Sequence, residues 1–454
     1  MSAVLTPSRV TSRLHSLDSS LGARILPASW ILLWELPFWA ILLFGALVPA
    51  TMVDRQDWFG VPMKLSDLLG ILSSTAYGSA ALAQLLFRRR ARNYGGLVLA
   101  TLCLFSYGLI RLFAGSLELE DKLAMAFALL LAATAPLQAA GLLSLYDVTQ
   151  TRAFLNRLVF VLACVSLIYT AESVVGLGLR SEASRNLASD FGIQRVRGPL
   201  YGPSTGYLLL LPAMGWALQS FFSRQSRKTY AVFCTVALLS AYLGLGSRAG
   251  LVLLVLYVCS ITLFLRSLKR TEATAMLLAG FSLAIGFLIY SQADTQRLTQ
   301  FEDVHRRLTH ETSMNIVETE SLTDLLLGQG YGSIWPWYRR DTLRGELIAI
   351  GDNVVLTGFG PSLYHSHSTL LELLVEFGLA GLAWLAFLIV RTCRLPFVAF
   401  AGTGWHVFSL ALVVSLLSLG FDLFVFKEVR VNSVWWLFVC AAFQMRSQPG
   451  MSER

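Results

Sequence analysis

Residues 364 to 382, YHSHSTLLELLVEFGLAGL, place two histidines and two glutamates at the mouth of an apolar stretch. From Thr369 onward the stretch is apolar enough to cross a bilayer, whereas an ionisable side chain in hydrocarbon costs several kcal/mol unless it is paired or hydrated. Histidine titrates near neutral pH and is the usual general base of enzymes. His367 is therefore a candidate general base, and His365 is a candidate substrate-binding residue beside it.

The two glutamates of this stretch are Glu372 and Glu376, which lie four residues apart and share one face of a helix. On a continuous helix they lie about 140° and about 180° around the axis from His367, so that neither is its orienting partner. We expect them either to pair with polar groups inside the protein, such as Arg111, or to take part in the function directly.

Three arginines lie in two further short segments. Arg195 and Arg197 belong to RVRGPLYGPS, and Arg248 belongs to the tight turn GSRAG. Arginine stays charged at any pH, and its planar fork binds phosphate through two parallel hydrogen bonds. The three side chains are candidates to clamp a diphosphate at the level of the lipid headgroups. The alternative is that they snorkel to the membrane surface or pair with acids such as Asp190.

Composition sets the class of protein in which these segments act. Mean hydropathy is +0.61, and only 14% of the residues are charged, against about 25% in soluble domains. This excludes an ordinary soluble domain and predicts a polytopic membrane protein. About twelve windows approach the roughly 20 apolar residues that a membrane-spanning helix needs. They lie near residues 30–53, 66–87, 94–115, 123–145, 158–179, 200–222, 229–246, 250–265, 273–291, 368–390, 405–425 and 432–445.

Positive charge predicts the orientation of these windows, because short cytoplasmic loops collect Lys and Arg. With the N-terminus inside, the basic segments RRRARN, SRQSRK and RSLKR all lie on the cytoplasmic side. The histidine and arginine segments then share the opposite face, and the net charge of +8 reflects topology and not nucleic-acid binding. The six cysteines lie in or beside the windows, which predicts neither a disulfide framework nor a metal site.

The predicted fold is an all-α integral membrane bundle of about twelve transmembrane helices with one large periplasmic loop that forms a small cap. Loops longer than about 15 residues are usually functional or disordered. The predicted parts are a cytoplasmic tail (1–29), nine spans (30–291), the large loop or cap (292–366), three spans (367–446) and a second cytoplasmic tail (447–454).

Four segments together resemble one family. HSTLLELLVEFGLAG resembles the H-N-x-x-L and E-x-G-x-x-G signature of the bacterial O-antigen ligase and Wzy-type O-antigen polymerase superfamily. RVRGPLYGPS resembles its R-x-x-G-x-x-x-x-P-N element, GSRAGLVLLVL its S-R-[GA] turn, and LLLGQGYG the G-x-G segment of its large periplasmic loop. The resemblance covers roughly residues 190 to 390. Two positions depart from the family pattern, since Ser368 and Ser204 stand where asparagine is usual.

The resemblance implies a glycosyltransferase of the bacterial inner membrane with a periplasmic active site. The charge pattern predicts that both termini are cytoplasmic. The resemblance also implies inverting transfer from an undecaprenyl-diphosphate-linked glycan to a saccharide or lipid A-core hydroxyl, without metal or cofactor, in O-antigen or exopolysaccharide polymerisation or ligation. Arg195 and Arg248 would hold the diphosphate, and His367 would activate the acceptor hydroxyl. The candidate substrate-binding residues are Arg197, His365, Gly330, Tyr331 and Trp335.

Two other functions fit parts of the sequence. A lipid-linked oligosaccharide flippase or transporter also has about twelve spans, but it typically carries charge near the bilayer midplane and paired, interrupted helices. A metal-dependent glycosyltransferase of the GT-C type would use acidic residues, and Asp54 and Asp57 in DRQDW supply such a pair.

Overall fold

The structure is a computed structural model of the 454-residue chain. It describes residues 28–47, 56–58, 61–63, 65–87, 92–115, 117, 119–176, 196, 200, 206–222, 228–264, 314, 317–318, 320–332, 346–350, 353–361, 368–396, 404–417 and 429–446.

These residues form helices and two pairs of short strands. The helices are α1 (Ala28–Leu47), α2 (Leu65–Phe87), α3 (Arg92–Ala114), α4 (Leu119–Ser144), α5 (Val148–Val175), α6 (Gly206–Phe222), α7 (Lys228–Gly244), α8 (Arg248–Phe264), α9 (Leu322–Leu327), α10 (Thr369–Cys393), α11 (Gly404–Leu416) and α12 (Val429–Met445). The strands are β1 (Gln56–Trp58), β2 (Val61–Met63), β3 (Glu346–Ile350) and β4 (Asn353–Pro361).

Each predicted apolar window except 273–291 overlaps one of these helices, and the window 273–291 lies outside the described residues. The prediction of an α-helical membrane protein is thereby confirmed, whereas the number of twelve spans stays a prediction. Within the described chain, five helices are long and apolar enough to cross a membrane, namely Trp30–Leu47, Tyr94–Ala114, Lys122–Ser144, Val148–Val175 and Thr369–Cys393.

The strands depart from the all-α expectation. β1 pairs with β2, and β3 pairs with β4, both antiparallel. Ile350 lies opposite Asn353, and the two residues between them in the sequence are Gly-Asp. Glycine at the first position of a two-residue connection is typical of a β-hairpin. The predicted cap segment thus contains a hairpin, while residues 297–310 of the same segment lie outside the described residues.

Helices α4, α6 and α12 lie at the centre of the bundle, and most of their residues are buried. Helix α4 contains AATAPLQAAG, and small residues of this kind let helix backbones approach closely. A Cβ on Gly141 would collide with the carbonyl of Tyr77 in α2. Where α6 crosses α11, a Cβ on Gly215 would lie 2.5 Å from the Cβ of Ala411. Larger residues at positions 141 and 215 would force these helices apart.

Hydrogen bonds between helices fix their relative directions. The Trp34 indole donates to the carbonyl of Leu142 at 3.2 Å, so that the start of α1 meets the end of α4. The Tyr169 hydroxyl donates to the carbonyl of Ala46 at 2.7 Å, near the ends of α1 and α5. Helix α4 therefore runs antiparallel to α1, and α5 runs parallel to α1. These directions agree with those that the positive charge of the loops predicts. We call the end with Trp34 and Leu142 the basic end, and the end with Ala46 and Tyr169 the motif end.

A buried carboxylate braces the basic end. Glu35 of α1 is fully buried and accepts hydrogen bonds of 2.8 Å from the Tyr146 hydroxyl and from the Trp39 indole. It also forms an ion pair with Arg157 of α5. Burial, followed by the charge of Glu35, raises the pKa of Tyr146, so that this hydroxyl stays protonated and keeps donating. This buried charge therefore serves the packing of α1 against α5.

Candidate functional site

The structure describes some of the residues that the sequence singles out. Arg248 begins α8, and Gly330 and Tyr331 follow α9, with the side chain of Arg248 not described. The other predicted site residues lie outside the described residues: Arg195, Arg197, Trp335, His365 and His367. The described segments that flank these residues define the surroundings of the site.

The two arginine segments meet through their backbones. Val196 lies between Arg195 and Arg197 in the sequence, is buried, and donates its amide to the carbonyl of Gly244 at 2.7 Å. Gly244 ends α7, and Arg248 begins α8 four residues later. A Cβ on Gly244 would collide with Cγ2 of Val196, so this close approach requires glycine. The segment of Arg195 and Arg197 and the turn of Arg248, which are distant in the sequence, are thus joined by this hydrogen bond.

The turn that carries Arg248 has a defined backbone. Gly246 has a φ of 59°, in the left-handed region that favours glycine. The Ser247 hydroxyl accepts a 3.2 Å hydrogen bond from the Gly250 amide, and the Tyr242 hydroxyl donates to the Gly250 carbonyl at 2.7 Å. A serine cap of this kind satisfies an amide at the start of a helix. Arg248 therefore stands at the first position of a capped helix.

Helix α10, which follows the histidines, is interrupted in its apolar stretch. Gly378 has φ 60° and ψ −146°, which breaks the helix. In a continuous α-helix the carbonyls of Val375 and Glu376 would accept from the amides four residues ahead. Here they accept from Gln329 and Gly330, at 2.9 Å each. The G-x-G segment after α9 thus supplies hydrogen bonds at the break in α10.

The glycines of these two segments are required by the contact between their backbones. Gly328 has a φ of 74°, and a Cβ there would lie 2.5 Å from the carbonyl oxygen of Glu376. Gly378 lies in the left-handed region as well, and a Cβ there would collide with the carbonyl of Leu326. The G-x-G and E-x-G-x-x-G motifs, about 50 residues apart in the sequence, therefore form one contact. We call it the loop–helix junction, made of residues 326–330 and 375–378.

Two side chains of α3 hold the junction from the other side. The Nε and Nη2 atoms of Arg111 donate to the carbonyl of Gly328 at 2.9 and 2.8 Å. The Tyr107 hydroxyl donates to the carbonyl of Leu327. Arg111 was suggested above as a partner of Glu372 and Glu376. Its Nε and Nη2 atoms bind the loop backbone, and pairing with the glutamates stays a prediction.

Replacing Arg111 with glutamine is expected to loosen the junction. Hydrogen bonds from a charged donor contribute about 1.5–3 kcal/mol, which corresponds to amide exchange about 10- to 100-fold faster at Gln329 and Gly330. The measurement is hydrogen exchange in detergent. The control is Lys122→Gln, because Lys122 donates to the carbonyls of Phe113 and Gly115 at the end of the same helix. Equal exchange in both variants would contradict the assignment.

Ser368 caps the start of α10. Its backbone is extended, and its hydroxyl accepts from the Leu371 amide at 3.4 Å. The helix therefore begins at Thr369, and the angular offsets calculated from His367 along a continuous helix are wrong. Asparagine and serine are both strongly preferred caps. Serine at this position therefore keeps the capping oxygen that an asparagine would supply.

Substitutions at Ser368 test the capping role. We expect Ser368→Asn to keep wild-type thermal stability in detergent, since the amide oxygen replaces the hydroxyl. Ser368→Ala should lose about 1 kcal/mol, the usual cost of removing such a cap. The measurement is the thermal stability of the three purified proteins. Equal stability of the alanine variant and the wild type would show that the Ser368 cap does not stabilise the helix.

Glu372 and Glu376 lie in the first part of α10, before the break, and both are fully buried. Their common face is confirmed, because both lie in the regular helical stretch between Thr369 and Phe377. Burial inside the protein and not towards lipid is typical of ionisable residues in membrane helices. Their direct part in the function stays a prediction.

Gly330 and Tyr331 were predicted to bind substrate, and the structure favours a packing role for both. A Cβ on Gly330 would lie 2.7 Å from the amide nitrogen of Leu112. Tyr331 is fully buried, with its ring centroid 6.1 Å from that of Phe377 in α10. In this conformation these residues pack the loop against α3 and α10, and contact with a substrate would require the loop to move.

The acidic pair of the metal-dependent alternative is described in part. Asp57 lies in β1 opposite Pro62, and Asp54 is outside the described residues. Within the described part of the chain, no three His, Cys, Asp or Glu side chains come together as a candidate metal site. Comparisons with protein-family models and with curated proteins found no match to this chain.

Proposed function

We propose that this protein is a membrane glycosyltransferase that moves a glycan from an undecaprenyl-diphosphate-linked donor to an acceptor hydroxyl. The reaction takes place at the motif end of the bundle, which the charge pattern assigns to the periplasmic face. The observation that carries the proposal is the hydrogen bond from the Val196 amide to the Gly244 carbonyl. It joins the segment of Arg195 and Arg197 to the turn of Arg248, and arginines gathered at one membrane face suit a diphosphate.

The chemistry follows from these residues and the nature of the donor. His367 takes the proton of the acceptor hydroxyl as its oxygen bonds to the anomeric carbon, on the face opposite the diphosphate. The bond from that carbon to the phosphate oxygen breaks, and undecaprenyl diphosphate leaves with the bonding electrons. Arg195 and Arg248 stabilise the negative charge that develops on the leaving group. The anomeric configuration is inverted.

The finer topology belongs to the same proposal. The chain crosses the membrane about twelve times, with both termini in the cytoplasm, and residues 292–366 form a periplasmic cap. The relative directions of α1, α4 and α5 support the alternation. The loop–helix junction supports the cap, because it ties part of the 292–366 segment to the helix that follows the histidines.

Transfer without a divalent metal tests the proposal against the acidic-pair alternative. Arginines neutralise the diphosphate in the proposed mechanism, whereas an acidic-pair enzyme needs a cation to bridge carboxylate and phosphate. We expect purified protein in liposomes to extend or transfer a lipid-linked glycan in excess EDTA, and the double variant Asp54→Asn, Asp57→Asn to stay active. Activity lost in EDTA and restored by manganese or magnesium, with an inactive double variant, would support the alternative.

A second candidate function is a lipid-linked oligosaccharide flippase. The break of α10 at Gly378 favours it, since discontinuous helices are typical of transporters. The same liposomes separate the two, with donor supplied in one leaflet. Translocated but unchanged donor indicates a flippase, and a new glycosidic bond indicates a transferase.

Polymer length separates the two kinds of transferase, because a polymerase lengthens the donor chain and a ligase moves it to lipid A-core.

A further inference from the structure

Tyr169 connects three parts of the motif end through one oxygen atom. It lies in α5 and is fully buried. Its hydroxyl donates to the carbonyl of Ala46 in α1 at 2.7 Å and accepts from the amide of Leu200 at 2.9 Å. Leu200 belongs to RVRGPLYGPS and is itself buried. The hydroxyl therefore ties the arginine segment to two helices.

The arginine segment is thus held by backbone amides at two places. The Val196 amide binds the carbonyl of Gly244, and four residues later the Leu200 amide binds the Tyr169 hydroxyl. Arg197 lies between these two points in the sequence, and Arg195 lies directly before the first. The two described residues of the segment, Val196 and Leu200, are therefore fixed relative to α7 and α5.

We propose that Tyr169 is a positioning residue for the donor site, which holds the Arg195–Arg197 segment in register with Arg248. The inference rests on the proposed function, in which these arginines bind the diphosphate. Tyr169 acts through the backbone of Leu200 and has no part in the chemistry. Its removal therefore affects binding of the lipid-linked donor and leaves the acceptor unaffected.

Tyr169→Phe removes only the oxygen atom and keeps the buried ring. The buried Leu200 amide then lacks its hydrogen-bond acceptor, which costs free energy. The chain has to shift for this amide to find another acceptor. The shift moves the segment that carries the arginines. A geometric change of this kind weakens a bidentate contact more than a simple charge attraction, because the fork requires alignment.

Tyr77→Phe is the matched control. Tyr77 lies in α2, is almost fully buried, and donates to the carbonyl of Trp34 at 2.6 Å. Both hydroxyls therefore donate to a carbonyl of α1, but Tyr77 does so at the basic end. Both substitutions remove a hydroxyl that donates to a carbonyl of α1. Tyr169→Phe should lose more thermal stability, because it also removes the acceptor of the buried Leu200 amide.

Steady-state kinetics of the purified full-length proteins give the first test. Of the two hydrogen bonds that Tyr169→Phe removes, the one from the Leu200 amide holds the arginine segment. The loss of one such bond corresponds to a factor of about 3 to 10, and we expect the donor KM to rise by this factor. The acceptor KM should change less than about twofold, and Tyr77→Phe should change neither constant. An unchanged donor KM in Tyr169→Phe, or an equal rise in both variants, would overturn the inference.

Two further measurements do not depend on turnover. Amide exchange at Val196 and Leu200 should be about 3- to 10-fold faster in Tyr169→Phe and unchanged in Tyr77→Phe. Binding of undecaprenyl diphosphate alone should weaken by a similar factor in Tyr169→Phe only. A wild-type protein without transferase activity would refute the proposed function, while the exchange rates still decide whether Tyr169 holds the segment. Equal exchange in the two variants would show that it does not.

Discussion

Replacing His367 with alanine is expected to lower glycan transfer by about 10² to 10⁴, the usual contribution of a general base. The acceptor hydroxyl is a weak nucleophile, and without a base it must attack while it still holds its proton. Insertion and stability should stay close to those of the wild type, because α10 begins at Thr369 and takes its cap from Ser368. Loss of the imidazole leaves that cap in place.

The measurement is transfer by purified protein in detergent or liposomes, with expression and thermal stability recorded for the same preparations. His406→Ala is a suitable control, since His406 lies in α11 near the basic end. It should keep wild-type transfer, and His365→Ala should lose less than His367→Ala. If His367→Ala stays within about tenfold of the wild type, the histidine is not the base.

Arg248→Lys should impair transfer almost as severely as Arg248→Ala, by about 10² to 10³ in kcat. Lysine keeps the charge but lacks the planar fork, which matches two phosphate oxygens at once. The backbone at this position is fixed by Gly246 and by the Ser247 cap, so a lysine cannot reach a different alignment by moving the turn. The comparison therefore separates geometry from charge.

Arg394→Lys provides the control for this substitution, because Arg394 is an exposed arginine just after α10. Its transfer rate should equal that of the wild type. Arg195→Lys should follow Arg248→Lys, and Arg197→Lys should be tolerated better. Full activity in Arg248→Lys would mean that the arginine acts as a point charge or has no part in the reaction.

The helices could be predicted from the sequence because each apolar run has to satisfy its own backbone. The window 94–115, for example, matches α3 at Arg92–Ala114. The break of α10 was not predicted, since a glycine within an apolar run is compatible with an uninterrupted helix. At the break, the amides of residues 329 and 330 bind the carbonyls that the interrupted helix leaves free. The sequence pattern of α10 alone contains no information about these amides.

The same reason limits prediction of the site. Motifs and charge indicated which segments belong together at one face, and the contact of Val196 with Gly244 agrees with that grouping. Tyr169 and Arg111 were not identified as supports of these segments. Their partners are a backbone amide and a backbone carbonyl, which are not specific to a residue type. The residue types at positions 200 and 328 therefore do not indicate these contacts.

The bond between Arg111 and Gly328 also bears on how the protein is made. Its partners are separated by 217 residues. At about 5–20 residues per second, Arg111 leaves the ribosome roughly 10 to 40 s before Gly328 does. During that time α3 and its neighbours enter the membrane with the guanidinium not yet bound to the loop. The motif end is therefore completed late in synthesis, and a chain that stops before residue 378 can insert its first helices but cannot close this part of the protein.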